Sequence, residues 1–210
     1  MAKQARAHAT RESIIQAAGR VFAGQSYSTA TMADVIAEAG VTQGALYFHF
    51  ESKHDLAVAL IQRQHAASYG GDGGPAESTG LRALVVMSVA LAAQIQSDPV
   101  VQGGLRLSTE SSELFPEYAS RPYLDWIDGC TVLIQQAIDQ GDIDPTDSAA
   151  TSARYLMSTF TGVQVVSRAL TNWEDLFDRL SEMWQIVLRA LLVPERRDLI
   201  PDLLRLVKAP

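Results

Sequence analysis

Apolar residues recur along this chain three and four positions apart, the spacing of one face of a helix, and the strict alternation of a half-buried strand is absent. From residue 10, "TRESIIQAAGRVFAG" puts Ile14, Ala17, Ala18, Val21 and Phe22 on one stripe, with Thr10 expected to cap the helix and Gly24 near its end. "TMADVIAEAG" predicts a second, short helix. Thr31 is its cap, Asp34 sits where the helix dipole favours an anion, and Gly40 stops it. A third helix follows in "TQGALYFHF", with Thr42 as cap, and a fourth runs from residue 52 to about 69, where Ser52 and Asp55 form a variant capping box. "YGGDGGPAESTG" has the composition of a flexible linker and is expected to be weakly ordered. Further helices are predicted over 81–97, 100–108, 123–140, 147–170 and 173–192, with a loop bracketed by Pro116 and Pro122 and a last short helix in "DLLRLV". The expected fold class is all-α.

Composition adds limits. A hydrophobic share of 47% and a charged share of 20% over 210 residues belong to a globular chain with a real core. One cysteine, Cys130, excludes an internal disulfide and argues against a cysteine metal site; its setting, "LDWIDGCTVLI", reads as a buried small hydrophobe. The N-terminus lacks the apolar run of a signal peptide, and the longest uncharged apolar stretch, 83–96, is too short to cross a bilayer. A cytoplasmic protein with no membrane partner is expected.

The net charge of −7 is unevenly spread: the first 65 residues stand near +1 and the rest near −8. Lys3, Arg6 and Arg11 all precede Glu12, the first acidic residue. A small DNA-facing module on an acidic body fits that asymmetry.

The second and third helices are joined only by "GV", the spacing of a helix-turn-helix, in which Gly40 permits the tight turn and Val41 plugs the angle. Leu46 and Phe50, four apart, face inward, while Gln43 and Tyr47 share another face. Thr42 can offer its hydroxyl and nearby N–H groups to a phosphate. Gly44 costs the helix roughly 1 kcal/mol of propensity and removes a side chain where a helix would approach DNA. Tyr47 and His49 can donate to phosphate oxygens, Lys53 adds a cation, and Gln43 carries both donor and acceptor for a base edge. The alternative is a solvated helix on which Tyr47 packs sideways and His49 is surface decoration.

On "SIIQAAGRVFAGQSYSTATMADVIAEAGVTQGALYFHFESKHDL", the chain resembles the DNA-binding region of the TetR family of one-component repressors. The resemblance implies a helix-turn-helix DNA-binding domain over 1–52 and a ligand-binding and dimerisation domain over 53–210. It puts Thr31, Thr42, Gln43, Gly44, Ala45, Tyr47, Phe48, His49 and Lys53 at DNA-contact positions. Many members carry lysine where this chain has Gln43, and the usual "TT" before the second helix is "AT" here.

In the body, "DPVVQGGLRLSTE", "PYLDWIDG" and "GVQVVSRAL" are similar to the γ-butyrolactone autoregulator receptors of streptomycete-type bacteria, which implies that Trp126 stacks over a lactone ring. A lactone with an alkyl tail needs apolar walls and a few polar anchors. Leu84, Met87, Leu91, Ile134 and Phe160 are candidate walls; Gln64, Thr161 and Gln164 are candidate hydrogen-bonding groups. Trp126 as plain core, and Thr161 bonded to its own helix, are the alternatives. The helices around "YLMSTFTGVQVVSRAL" and "LSEMWQIVLRALL" are apolar on more than one side, which a second subunit would bury in a four-helix interface containing Trp184.

These readings point to a dimeric repressor on a palindromic double-stranded operator, released by a lactone, with the fourth helix and its Gln64 transmitting the signal. No cofactor or metal is expected: His8, His49, His54 and His65 lack ligand spacing. GxSxG and HExxH are absent, so an enzyme is not expected. A drug-like ligand, or a pseudo-receptor with Trp126 merely structural, remain rivals.

Overall fold

Helix α1 (Ala2–Gly24) starts eight residues before the expected cap, because Thr10 lies inside it and its hydroxyl donates back to the Arg6 carbonyl at 3.0 Å. The structure, a computed structural model, describes residues 2–70 and 78–208; residues 71–77, which hold most of the expected glycine-rich linker, lie outside the described residues. α2 (Met32–Ala39), α3 (Gln43–His49) and α4 (Lys53–Gly70) follow, then α5 (Gly80–Ser97), α6 (Pro99–Glu110), α7 (Pro116–Asp139), α8 (Ala149–Thr171), α9 (Leu176–Leu191) and α10 (Ile200–Leu204). Among the described residues the only extended pairing is one bridge between Ile143 and Leu192, so the all-α expectation holds.

The chain divides into two compact units. The first comprises residues 1–71 and 97–122: α1–α4, α6 and the opening turns of α7. The α1 stripe read from sequence is buried here with Val35, Leu46 and Phe50, and α4 adds Leu56, Ala57, Leu60 and Ile61. α4 and α6 thus share one core with α1–α3, and the unit is larger than the 1–52 segment assigned to DNA binding.

Glycines let α6 lie close to its neighbours. A Cβ on Gly19 would stand 2.8 Å from the Pro99 carbonyl oxygen, and one on Gly103 would stand 2.7 Å from the Gly19 carbonyl oxygen. One on Gly104 would meet the Gln64 Cβ at 2.5 Å. Packing at this density has no room for a methyl group.

The second unit comprises residues 72–96 and 123–210. α5 is, by length and composition, apolar enough to cross a membrane, a property that buried helices of globular cores share. Eight of its residues are buried within the fold. The loop expected between Pro116 and Pro122 is instead the start of α7. Pro116 sits in the first turn, where no N–H is needed, and Phe115 and Ala119 bury that end of the helix, so Pro122 is carried inside it.

α8 is capped by Ser148 and ends on Asn172 in the left-handed region. Trp173 is also left-handed, with φ of 68°, so α9 begins three residues later than expected. Asp175 ties this corner together, accepting hydrogen bonds from the Ser167 hydroxyl (2.6 Å), the Thr171 hydroxyl (2.8 Å) and Arg179 Nε (2.7 Å). The Ser167 hydroxyl, foremost, holds its carboxyl below the usual carboxylate range.

Candidate functional site

The turn between α2 and α3 is set by local chemistry. Thr31 and Asp34 form a complete capping box: the Asp34 N–H donates to the Thr31 hydroxyl oxygen at 3.1 Å, and the Thr31 N–H donates to the Asp34 carboxylate at 2.8 Å. Gly40 closes α2 at φ 65°, where a side chain would be strained, and its N–H donates to the Ile36 carbonyl. Thr42 then caps α3 by accepting the Ala45 N–H at 3.2 Å. Leu46 and Phe50 are buried as anchors, and Val41 packs against the same core.

What α3 shows to solvent is a contiguous face of Gln43, Gly44, Tyr47 and Phe48, with Thr42 exposed beside it. Tyr47 is 43% exposed and Phe48 78%, a large apolar ring left outside with the His49 imidazole edge-on to it, centroids 5.0 Å apart. His49 and Ala45 are half-buried. A Cβ on Gly44 would meet nothing within 4 Å, so packing inside this chain does not require that glycine. The contrast with Gly104 is direct.

Two predicted contact residues have work inside the chain. The Thr31 hydroxyl lies 2.7 Å from the Asp34 carboxylate and donates to it, which directs its proton away from any phosphate. Lys53 Nζ donates to the carbonyls of Tyr27 (2.7 Å) and Ala30 (2.9 Å) and lies 4.4 Å from the Tyr27 ring centre. The Tyr27 ring is stacked beside Phe22 and edge-on to Phe115. Lys53 therefore clamps the loop that leads into α2, leaving at most one N–H for a phosphate.

In the second unit, α5, α7, α8 and α9 enclose a constricted cavity of about 30 Å³. Leu84, Met87, Leu91, Trp126 and Phe160, all expected as ligand contacts, line it. Trp126 is 8% exposed. Ser88, Cys130, Leu156, Met157, Met183 and Trp184 complete the lining and were not on the predicted list. Helical spacing could have found four of them: Ser88 is four from Leu84, Cys130 four from Trp126, and Leu156 and Met157 four and three before Phe160. Burial pushes the Cys130 thiol up to about 11, so it faces the cavity uncharged.

The other expected contacts lie elsewhere. Ile134 is fully buried two turns beyond Trp126 and does not line the cavity. Thr161 (half-buried) and Gln164 (buried) fall at or just past its α8 edge and are not among the lining residues. Gln64 belongs to the first unit, where Gly104 leaves room for its side chain. Trp184, expected at a subunit interface, is 1% exposed within its own chain; its indole N–H donates to Ser88 Oγ at 2.8 Å. The apolar residues that α8 and α9 do expose are Tyr155, Val165, Val166, Leu170 and Ile186. A Cβ on Gly162 would meet nothing within 4 Å, and Gly162 lines a surface groove with Tyr155 and Ile186.

The chain thus joins a helix-turn-helix with an outward-facing second helix to a helical unit built around an apolar cavity. Residues 14–60 match the family described as bacterial regulatory proteins, tetR family, and residues 78–194 match the tetracyclin repressor-like C-terminal domain. The chain belongs to the TetR family of transcriptional regulators. It is 34% identical over 195 residues to the A-factor receptor protein of Streptomyces griseus, covering 92% of this chain and 68% of that one. Among solved structures it is similar to a gamma-butyrolactone receptor described as ArpA-like, with a TM-score of 0.82 and 32% identity over 96% of this chain and 98% of the other. CprB of Streptomyces coelicolor, in complex with its biological operator sequence, superposes with a TM-score of 0.79 and 32% identity over 95% of this chain and 96% of the other.

Proposed function

We propose that this protein is a ligand-responsive transcriptional repressor that binds a palindromic operator as a homodimer, is released by a γ-butyrolactone- or butenolide-type signal, and controls secondary metabolism. The observation that carries this reading is the apolar cavity walled by Trp126, in a chain similar over nearly its full length to an A-factor receptor protein and to a gamma-butyrolactone receptor. Residues 1–52 supply the DNA contacts and residues 53–210 the ligand and subunit contacts, in the cytoplasm and without a membrane partner. Gln43 reads base edges, with Gly44 and Ala45 allowing close approach. Tyr47, Phe48 and His49, with Thr42, hold the helix against the sugar–phosphate backbone. Thr31 and Lys53 act one step back, by fixing α2.

The exposed apolar face of α8 and α9, with Gly162 at its centre, is the surface a second subunit covers, since a helix pair apolar on both sides needs an outside partner. The cavity is smaller than an alkyl lactone, so a ligand must displace its walls. Met87, Met157 and Met183 supply the compliance for that movement. α6 lies between α5 and α7 in the chain and packs on α1 and α4 across close glycine contacts. Displacing the cavity walls therefore biases the first unit through covalent continuity, a population shift between dimer states with different spacings of the two α3 helices.

A second reading, a repressor for another lipophilic or drug-like compound, is favoured by the displaced anchors: Gln64, Thr161 and Gln164 do not line the cavity. A mobility-shift assay on the DNA upstream of the coding sequence separates the two. Release by butanolides or butenolides alone supports the lactone reading. Release only by unrelated hydrophobic compounds supports the second, and no shifted DNA defeats both.

A further inference from the structure

Among the described residues lining the cavity, Ser88 alone carries a hydroxyl, and none carries a charge. Its Oγ accepts the Trp184 indole N–H at 2.8 Å and donates to the Val85 carbonyl at 2.7 Å. These two bonds are not equivalent. The indole of Trp184 is buried and can only donate, so losing its acceptor would strand a polar group in an apolar wall. The Val85 carbonyl is part of the α5 helix, where the backbone ladder already supplies it with a partner, and the serine back-bond to it is a local and weak addition. A hydroxyl has one donor and two acceptor positions, so Ser88 can turn its proton into the cavity while keeping the Trp184 bond.

We propose that Ser88 is the hydrogen-bond anchor for the ligand and that Trp184 is its positioning residue, holding Oγ at the wall with its donor free to turn. The assignment rests on the lactone-receptor reading and deepens it by naming what the site recognises: an uncharged molecule with one carbonyl acceptor on an otherwise apolar body. A carboxylate is disfavoured on the same grounds, because the Ser88 hydroxyl, the uncharged Cys130 thiol and the Trp126 indole supply no positive charge to offset burying an anion among methionine and leucine side chains. A cyclic ether of the same shape fills the walls but offers a poorer acceptor. The ring-opened hydroxy acid of a lactone carries the disfavoured charge, so opening the ring ends recognition.

The test uses the full-length protein on its own operator with three probes: a hexyl-substituted γ-butyrolactone, the matching hexyl tetrahydrofuran without the carbonyl, and the ring-opened hydroxy acid. The quantity read is the ratio of lactone to ether concentrations that release half of the operator. The wild type prefers the lactone over the ether by roughly three- to tenfold, the range of one neutral hydrogen bond, and ignores the acid. Ser88→Ala brings that ratio close to unity, Ser88→Thr restores it, and Trp184→Phe falls between; because lactone and ether are read on the same variant, a change in its operator affinity cancels in the ratio. A merely structural serine would lower stability without moving the ratio. Where the alanine variant does not fold, Ser88→Cys replaces it, keeping the side chain but weakening the donor, and the ratio again falls. A Ser88 variant that keeps the wild-type ratio overturns the anchor alone. A wild type released by neither lactone nor ether overturns the receptor reading, and the anchor with it.

Discussion

The face of α3 and the cavity of the second unit are built by opposite means. At α3 the buried residues, Leu46 and the capping Phe50, hold the helix, and the surface proposed to meet DNA is left outside: Gln43, Gly44, Tyr47 and Phe48. In the cavity the acting residues are themselves core, and Trp126, Met183 and Trp184 contribute to stability as well as to the pocket. A protein can therefore change what α3 reads almost without altering its stability, whereas each change to the cavity is also a change to the fold. The two glycine classes repeat the contrast. Gly104 makes room for Gln64 inside the chain, whereas nothing in the chain stands within 4 Å of a Cβ on Gly44.

Substitutions can break that contrast in turn. The largest effect belongs to Trp184→Ala, which empties a fully buried indole site and should cost about 3–5 kcal/mol in a urea titration. Tyr47→Ala should leave the same titration within about 0.5 kcal/mol and yet weaken operator binding roughly tenfold or more by anisotropy. Equal stability losses from the two would erase the distinction. Gly104→Val should destabilise by about 1–3 kcal/mol through overpacking against Gln64. Gly44→Ala should instead raise stability, by up to about 1 kcal/mol, while lowering operator affinity. A destabilised Gly44→Ala would mean that the chain itself needs that glycine.

Lys53→Met should lower the melting temperature by releasing the carbonyls of Tyr27 and Ala30, but change the salt dependence of operator binding by less than the unit slope of a full phosphate contact. A full unit of lost slope would return Lys53 to the DNA interface. The smallest effect is acidic. The Thr31 hydroxyl, then the Thr31 N–H, hold the Asp34 carboxyl below its ordinary value of 3.8. Because the folded value is the lower one, the box stabilises the fold above about pH 4 and that contribution is lost as pH falls through the folded value. Asp34→Asn should flatten the acid limb of a melting-temperature profile; an unchanged limb would deny the box any part in it.

The α2–turn–α3 segment was legible in the sequence because its determinants are local. Thr31 with Asp34, Gly40, and Thr42 with Ala45 are caps that act within three or four residues. Of the five expected cavity residues, Leu84, Met87, Leu91 and Phe160 were legible as apolar positions on their helices, whereas Trp126 rested on the resemblance to the γ-butyrolactone receptors. What could not be read depends on long-range placement. Trp184 meets Ser88 across 96 positions, and no periodicity in either helix announces it. The clamp made by Lys53 is invisible in the sequence because its acceptors are backbone carbonyls 23 and 26 residues away, which carry no residue-type signature. Gln64 was assigned to the pocket because a glutamine on an apolar helix suggests an anchor, and only the structure shows Gly104 accommodating it in the other unit.

The central claim is that one ligand inside the cavity and one DNA surface on α3 bias the same equilibrium, and reciprocity tests it most directly. Two of the chain's three tryptophans line the cavity, so lactone binding can be followed by tryptophan fluorescence, with and without saturating operator. The account predicts that operator weakens lactone binding by the same factor by which lactone weakens operator binding. Equal lactone affinity for free and operator-bound protein would contradict it.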